Sequence, residues 1–423
     1  MRILMLAWEF PPRVIGGLSR HVFELSRALV AGGYEVKVIT CGEENIAERE
    51  IVDGIGVWRV QPYPGNEERG FIDWVQRLNF ALLEKGVAIT NSYGGFDIIH
   101  AHDWLVTFAA RALKHIYTTP LLATIHATEH GRNNGLHNEE QRQINDIEWW
   151  LSYEAWKIIC CSQYMKEELQ RVFLLPPDKL TVIPNGIRLE DDLAEEGAPL
   201  PEKINNPMAK LIFYVGRLVP EKGVQVILDA VPDILKRFPD AHFVIAGTGP
   251  YAEHLKGHCR EMRLDDKVTF AGYIDETTKN ELYRCASVSV FPSLYEPFGI
   301  VALEAMAMGT PLIVSSCGGL DEIIDHEVEG LKVCPGDARS LAEQVCRLLS
   351  DEEWAAALAE KAYQKAIQKY SWEIIAALTA EVYGEIVRAP GNREWRENAG
   401  KEDMLEKIMI ENREGEKEVP YFV

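Results

Sequence analysis

Ser293-Leu294-Tyr295-Glu296-Pro297-Phe298-Gly299-Ile300-Val301-Ala302-Leu303-Glu304-Ala305-Met306-Ala307-Met308-Gly309-Thr310-Pro311 is the stretch around which this chain is organised. The apolar, β-branched run Ala286 to Phe291 just before it reads as a buried strand. Pro297 stands just ahead of an alanine-, leucine- and methionine-rich run that reads as a helix, and Gly309 and Pro311 close it. Glu296 therefore lies on a loop at the C-terminal end of a strand, and Glu304 on the early turns of the helix behind it. The amides of Phe298, Gly299, Ile300 and Val301 have no partner within the helix, so its start suits an anion. Two carboxylates flanking an anion cradle suit a ligand with both phosphate and sugar hydroxyls. Taken alone, their spacing reads more readily as a solvated loop glutamate and a helix-surface glutamate.

Composition bounds the rest. At 423 residues the chain exceeds a single typical domain, and with 47% hydrophobic residues it has ample core. A formal charge of −21 argues against nucleic acid or an anionic membrane as partner, so any phosphate site must be a local concentration of cations. The N-terminal run Met1 to Ala7 meets Glu9 almost at once and reads as a strand, not a signal peptide. No apolar run is long enough for a membrane span. The eight cysteines contain no Cys-x-x-Cys pair and read as reduced core thiols, which points to the cytoplasm.

Outward from the central stretch, strand-like and helix-like segments alternate twice. The first series begins with Arg2 to Trp8 and ends at Pro184-Asn185-Gly186-Ile187; the second begins at Lys210. An acidic, proline-bearing segment from Arg188 to Pro207 separates them. The expected fold class is α/β, with two doubly wound, mostly parallel sheets facing a cleft. The expected organisation is a first domain over 1–187, a linker over 188–207 and a second domain over 208–370. A helix over 371–388 and a charge-rich tail over 389–423 follow.

In such sheets ligands bind beyond the carboxyl ends of strands. Several loops at those ends carry unusual residues. Gly16-Gly17 follows the first strand, where bare backbone lets a diphosphate approach a helix start. His100-Ala101-His102-Asp103-Trp104 leaves another strand, and His126 ends the next. A histidine closing a buried strand needs a partner, so a satisfied structural role is the alternative at each. Gly216-Arg217-Leu218-Val219-Pro220-Glu221-Lys222-Gly223 puts two cations five residues apart on one loop, within reach of a diphosphate. A solvated charged loop is the alternative. His254-Leu255-Lys256-Gly257-His258 has zincin-like spacing but lacks the glutamate, and no Asp-x-Asp pair stands at a strand end to hold a divalent cation.

Together these residues resemble the retaining GT-B-fold glycosyltransferases, nearest to family 4 and its relatives the bacterial glycogen and starch synthases. The resemblance rests on Glu296 and Glu304 with seven residues between, Pro297-Phe298-Gly299 within that interval, Gly216-Arg217 with Lys222-Gly223, His126, Pro184-Asn185-Gly186-Ile187 and Gly16-Gly17. It covers roughly Met1 to Arg388. It implies that Arg217 and Lys222 bind the donor's diphosphate, Glu304 the ribose hydroxyls, and Glu296 the transferred sugar. Gly299 and Ile300 amides would contact phosphate and sugar, and Gly16 and Gly17 would complete the phosphate site. His126 would face the sugar, with Asp103 and Asn185 lining the same cleft. The first domain would carry the acceptor side, the second the nucleotide sugar, and the helix over 371–388 would cross back to the first. No cofactor and no metal are expected.

One departure leaves the donor base open. ADP-glucose-type synthases carry a lysine two residues before the glycine pair; here Val14 stands there, with Arg13 one further back. The expected activity is transfer of a hexose, such as glucose, from an ADP- or UDP-linked donor to a sugar or α-glucan. A sugar-nucleotide epimerase or hydrolase, or a non-catalytic nucleotide-sugar binder, would share the same cradle. Sequence alone names neither the acceptor nor the oligomeric state.

Overall fold

The computed structural model describes residues 1–66, 70–188 and 210–399. The expected linker beyond residue 188 and the tail beyond residue 399 lie outside the described residues.

The first half runs β1 (Arg2–Leu6), α1 (Gly17–Ala31), β2 (Glu35–Cys41), β3 (Arg49–Val52), β4 (Ile55–Val60), α2 (Phe71–Tyr93), β5 (Ile98–His102), α3 (Thr107–Tyr117), β6 (Leu121–Ile125), α4 (Glu129–Arg132), α5 (Glu139–Glu154), β7 (Lys157–Cys160), α6 (Gln163–Phe173) and β8 (Leu180–Val182). The second half runs β9 (Lys210–Val215), α7 (Val224–Leu235), β10 (Ala241–Ala246), α8 (Ala252–Glu261), β11 (Val268–Gly272), α9 (Glu276–Cys285), β12 (Val288–Phe291), α10 (Ile300–Ala307), β13 (Leu312–Ser315), α11 (Leu320–Ile323), β14 (Leu331–Val333), α12 (Ala338–Ser350) and α13 (Glu352–Tyr370). Helices α14 (Trp372–Arg388) and α15 (Pro390–Ala399) follow.

Strands buried on both faces explain the apolar runs. In β1, Ile3 and Met5 pack into one core cluster while Leu4 and Leu6 pack into another. Helices show the complementary period: in α12, Leu341, Val345, Leu348 and Leu349 are buried along one stripe. The first sheet has the order β3-β4-β2-β1-β5-β6-β7-β8 and the second β11-β10-β9-β12-β13-β14. All pairings are parallel except β3 with β4.

Three elements of the first half escape the sequence reading: β3, α4 and α6. Edge strand β3 joins β4 through Asp53-Gly54, both at positive φ (49° and 81°), as a tight primed hairpin turn requires. Helix α6 is announced by Ser162, whose hydroxyl accepts from the Met165 amide, and it buries Met165, Leu169 and Phe173. Helix α14 buries Trp372, Ile375, Val382 and Tyr383 in the cluster of the first sheet's Ile3, Met5 and α1's Val22. The Tyr383 hydroxyl lies 2.8 Å from His100 Nδ1 under β5.

In each sheet the strand order reverses once, between β1 and β5 and between β9 and β12. The loops leaving those four strands carry Gly16-Gly17, Asp103, Arg217 with Lys222, and Glu296. The crevice at a reversal is where an open α/β sheet offers room for a ligand. The two halves meet there. Gly17 packs so closely against Ile300 that a Cβ on it would lie 2.8 Å from the Ile300 Cδ1.

Candidate active site

The second-half wall is built around Glu296. Lys222 Nζ donates to Glu296 Oε2 at 2.5 Å, and the Ser293 hydroxyl approaches the same oxygen at 3.4 Å. Glu296 is buried, so its charge is balanced by this lysine and not by water. Arg217 is different. Its side chain is half exposed, and its nearest ion-pair partner, Glu221, stands 3.9 Å away. A guanidinium held that loosely is available to an incoming anion.

Behind Glu296 the chain turns into α10 through Gly299, whose φ of 108° disfavours any residue with a side chain. A Cβ there would also collide with Leu320. This turn presents the start of α10 to the cleft. Glu304, a turn further on, is buried and clamped: Lys279 Nζ lies at 2.7 Å, Arg20 Nη1 at 2.6 Å and the Tyr283 hydroxyl at 3.2 Å. Burial alone would favour its neutral form, but Lys279 and Arg20 outweigh that and hold the carboxyl below its usual range. Arg20 comes from α1 of the opposite half and also pairs with Glu276, so this cluster bridges the cleft.

The first-half wall is set by Glu9, Asp103 and the histidines. Glu9 accepts from the Ile15 amide at 2.6 Å and the Gly16 amide at 3.1 Å, fixing the glycine loop in place. Its burial pushes its pKa up to about 7. Asp103 has φ 59° and ψ 175°, a conformation strained for any side-chain-bearing residue. The strain aims its carboxylate back at the His126 amide, which donates to it at 2.7 Å. His21 Nδ1 lies 2.7 Å from Asn185 Oδ1, and His102 Nδ1 lies 3.4 Å from His126 Nε2. Arg132 interacts with the carboxyl groups of Asp103, Glu148 and Glu129.

The walls touch through Cys161. Its thiol lies 4.0 Å from the His126 carbonyl and 3.5 Å from the Pro297 carbonyl, and the Ser162 hydroxyl donates to the latter at 2.6 Å. The His126 loop and the Glu296-Pro297 loop are thus neighbours in space though far apart in sequence. Glu322 fastens the contact, its two oxygens accepting the Gln163 and Tyr164 amides at 2.8 and 2.7 Å.

Residues 15–191 match the family model for Glycosyltransferase Family 4, and residues 200–365 that for glycosyl transferases group 1. An uncharacterized glycosyltransferase of Methanocaldococcus jannaschii is 40% identical over 394 residues, 90% of this chain and 98% of its own. The chain is a GT-B glycosyltransferase of family 4. A glycogen synthase of Mycobacterium tuberculosis is 37% identical over 401 residues, 90% of this glycosyltransferase and 94% of that protein. Among solved structures, sucrose-phosphate synthase from Thermosynechococcus elongatus superposes with a TM-score of 0.78 at 27% identity, covering 92% of this glycosyltransferase and 99% of that chain.

Several residues of the glycosyltransferase's cleft were not legible as site residues in the sequence. Arg20, His21, Lys279 and Tyr283 sit within helices, where nothing in the local pattern separates a cleft-facing side chain from a solvated one. The signal present was weak: His21 and Lys279 fall on helix faces that are otherwise buried. No helix among the described residues is long and apolar enough to cross a membrane.

Proposed function

We propose that the protein transfers a hexose, with retention of anomeric configuration, from a nucleoside-diphosphate sugar to a sugar or α-glucan acceptor. The observation that carries this reading is the convergence of the four reversal-point loops. They bring a loosely held Arg217, the Lys222–Glu296 pair and the start of α10 opposite Gly17 and the His126 loop.

Glycosyl transfer builds positive charge at the anomeric carbon and negative charge on the departing diphosphate. Arg217 and Lys222, with the Gly299 and Ile300 amides, supply fixed positive potential at the leaving group, which favours the transition state over the ground state. Lys222 would exchange part of its bond to Glu296 for a phosphate oxygen, freeing that carboxylate for the sugar's hydroxyls. Glu304 would accept from the ribose hydroxyls, with Lys279 keeping it ionised. His126, its amide anchored on Asp103, would face the sugar, and Asn185 and the Gly16-Gly17 backbone would complete the cleft. These two cations meet the charge of the leaving group without a divalent ion.

Glu296 is assigned to sugar binding and not to covalent attack, in keeping with the family 4 resemblance. Same-face attack guided by the leaving phosphate then accounts for retention. The glycogen synthase relative favours glucose and an α-glucan. In the solved structures, an Anabaena protein of the same fold is complexed with UDP-glucose and a starch synthase with ADP and acarbose, so both bases fit this architecture.

Incubation with ADP-, UDP- and GDP-sugars and a panel of acceptors tests the reading. A new α-linked glycoside with release of nucleoside diphosphate is expected. Release without a glycoside would mean hydrolysis, an altered nucleotide sugar would mean epimerisation, and either would overturn transfer.

A further inference from the structure

Four buried or half-buried histidines crowd the first-half wall, and they are not equivalent. His100 is fully satisfied: Nδ1 meets the Tyr383 hydroxyl at 2.8 Å and Nε2 the Thr124 hydroxyl at 2.7 Å. His21 is equally buried, yet its Nε2 has no hydrogen-bond partner among the described residues. Asn185 Oδ1 is an acceptor, so the His21 proton sits on Nδ1 and its Nε2 presents a bare lone pair inside the protein. A buried lone pair without a donor is costly, and a hydrogen-bonded structural role does not account for it.

Each of His21, His102 and His126 offers a ring nitrogen, and these nitrogens lie within 4.8 Å of one another. Within this group, His102 Nδ1 and His126 Nε2 are 3.4 Å apart. Two imidazole nitrogens bound tetrahedrally to one zinc ion stand about 3.3 Å apart, from bond lengths of about 2.0–2.1 Å. As a hydrogen bond the same separation is long. We propose that His21, His102 and His126 form a binding site for one borderline-soft divalent cation, Zn²⁺ or Co²⁺.

The surroundings fit such an ion. Metal-bound imidazoles commonly donate their other N–H to a carbonyl, and the Asn185 amide oxygen does this for His21. An all-nitrogen set selects zinc, copper, cobalt or nickel over magnesium or calcium. Three histidines leave a fourth position, and His126 is the partly exposed member, so that position faces the cleft. The site is inhibitory: an ion bound to His126 withdraws that ring from the sugar and fills the space beside it. This last point rests on the proposed placement of the sugar.

Titration of the purified full chain with Co²⁺, followed by visible absorption, and with Zn²⁺ against a chromophoric chelator, tests the site directly. One equivalent is expected to bind with the absorption of tetrahedral Co²⁺. His21→Gln and His102→Gln should each weaken binding at least tenfold, and Asn185→Ala by roughly 10–100-fold through the lost support. His258→Ala, on distant α8, should leave it unchanged. Circular dichroism confirms that each variant is folded, and any variant that unfolds is replaced by Asn185→Ala as the discriminating case. Failure of the wild-type chain to bind either ion, or equal binding by His21→Gln and His102→Gln, overturns the site. Transfer activity should fall as the site fills; binding without loss of activity overturns the inhibitory role. A chain that binds the ion but transfers no sugar at all refutes the proposed function and leaves the metal site standing.

Discussion

Arg217 and Lys222 divide the cationic work of the cleft in two ways that substitution can separate. Among the described residues the ion pair of the Arg217 side chain is the long one to Glu221, so Arg217→Ala removes little from the folded state. Lys222 neutralises buried Glu296, so Lys222→Ala strands a carboxylate as well as removing a phosphate contact. Each change should lower turnover at least a hundredfold, in keeping with the loss of one donor to a developing anion. Lys222→Ala should in addition lower the thermal midpoint while Arg217→Ala leaves it unchanged. Near-wild-type turnover in either variant would remove the leaving-group assignment. Activity should also survive EDTA; loss of turnover that Mg²⁺ restores would refute the metal-free mechanism.

Glu148 makes a second residue-scale case. Burial pushes its pKa from 4.5 to about 8, against the opposing pull of Arg132 and the Glu129 amide that it accepts at 3.0 and 3.1 Å. Because the folded pKa is the higher one, the folded state holds this proton more tightly than the unfolded chain. Its contribution to stability is therefore full below pH 4.5 and is lost as pH rises to about 8. Glu148→Gln keeps an acceptor and removes the ionisation. In urea unfolding at a series of pH values, the variant's stability relative to wild type should climb between pH 5 and 8. A constant difference would contradict the assignment.

At the scale of elements, the start of α10 depends on one backbone conformation. Gly299 at φ 108° turns the chain between Glu296 and the helix, and Leu320 and Ile323 of α11 crowd the space a side chain would need. Gly299→Ala imposes roughly 1–3 kcal/mol of backbone strain, with steric overlap on top. The relief available is a shift of the helix start, which would carry the Ile300 amide off the phosphate. The variant should melt earlier and lose affinity for nucleoside diphosphate in calorimetry; unchanged affinity would mean that the α10 start is not part of the phosphate site. Element α6 illustrates legibility at this scale. Its cap at Ser162 and its Met165, Leu169, Phe173 spacing are sequence signals, whereas its role in meeting Pro297 and Glu322 of the other half is not.

Apolar packing joins residues of both halves in one core cluster, and a few polar contacts add to it across the cleft. Arg20 reaches Glu304, and Glu322 accepts two amides at the start of α6. Hydrogen bonds to a charged group are worth about 1.5–3 kcal/mol each, so removing the Glu322 charge should be felt at the interface before it is felt in either core. Glu322→Gln should raise hydrogen exchange at Gln163 and Tyr164 about tenfold or more, while amides of β1 and β9 keep their protection. Equal protection in wild type and variant would place the interface energy elsewhere.

The sequence by itself determined the alternation of buried strands and amphipathic helices, because period and apolar run length are local properties of the chain. It also determined which loops leave strand ends, and hence the positions of Gly16-Gly17, Asp103, His126, Arg217, Lys222 and Glu296. Taken alone, the spacing of Glu296 and Glu304 favoured surface over site, since spacing along a chain says nothing about what comes to face it. Only the tertiary structure decided that both are buried, that Lys222 neutralises one, and that Lys279, Tyr283 and Arg20 hold the other. The physical reason is range. Helix period and capping act within a few residues, but the charge balance of Glu304 joins α10 to an arginine 284 positions away, and only the meeting of the two sheets brings them together.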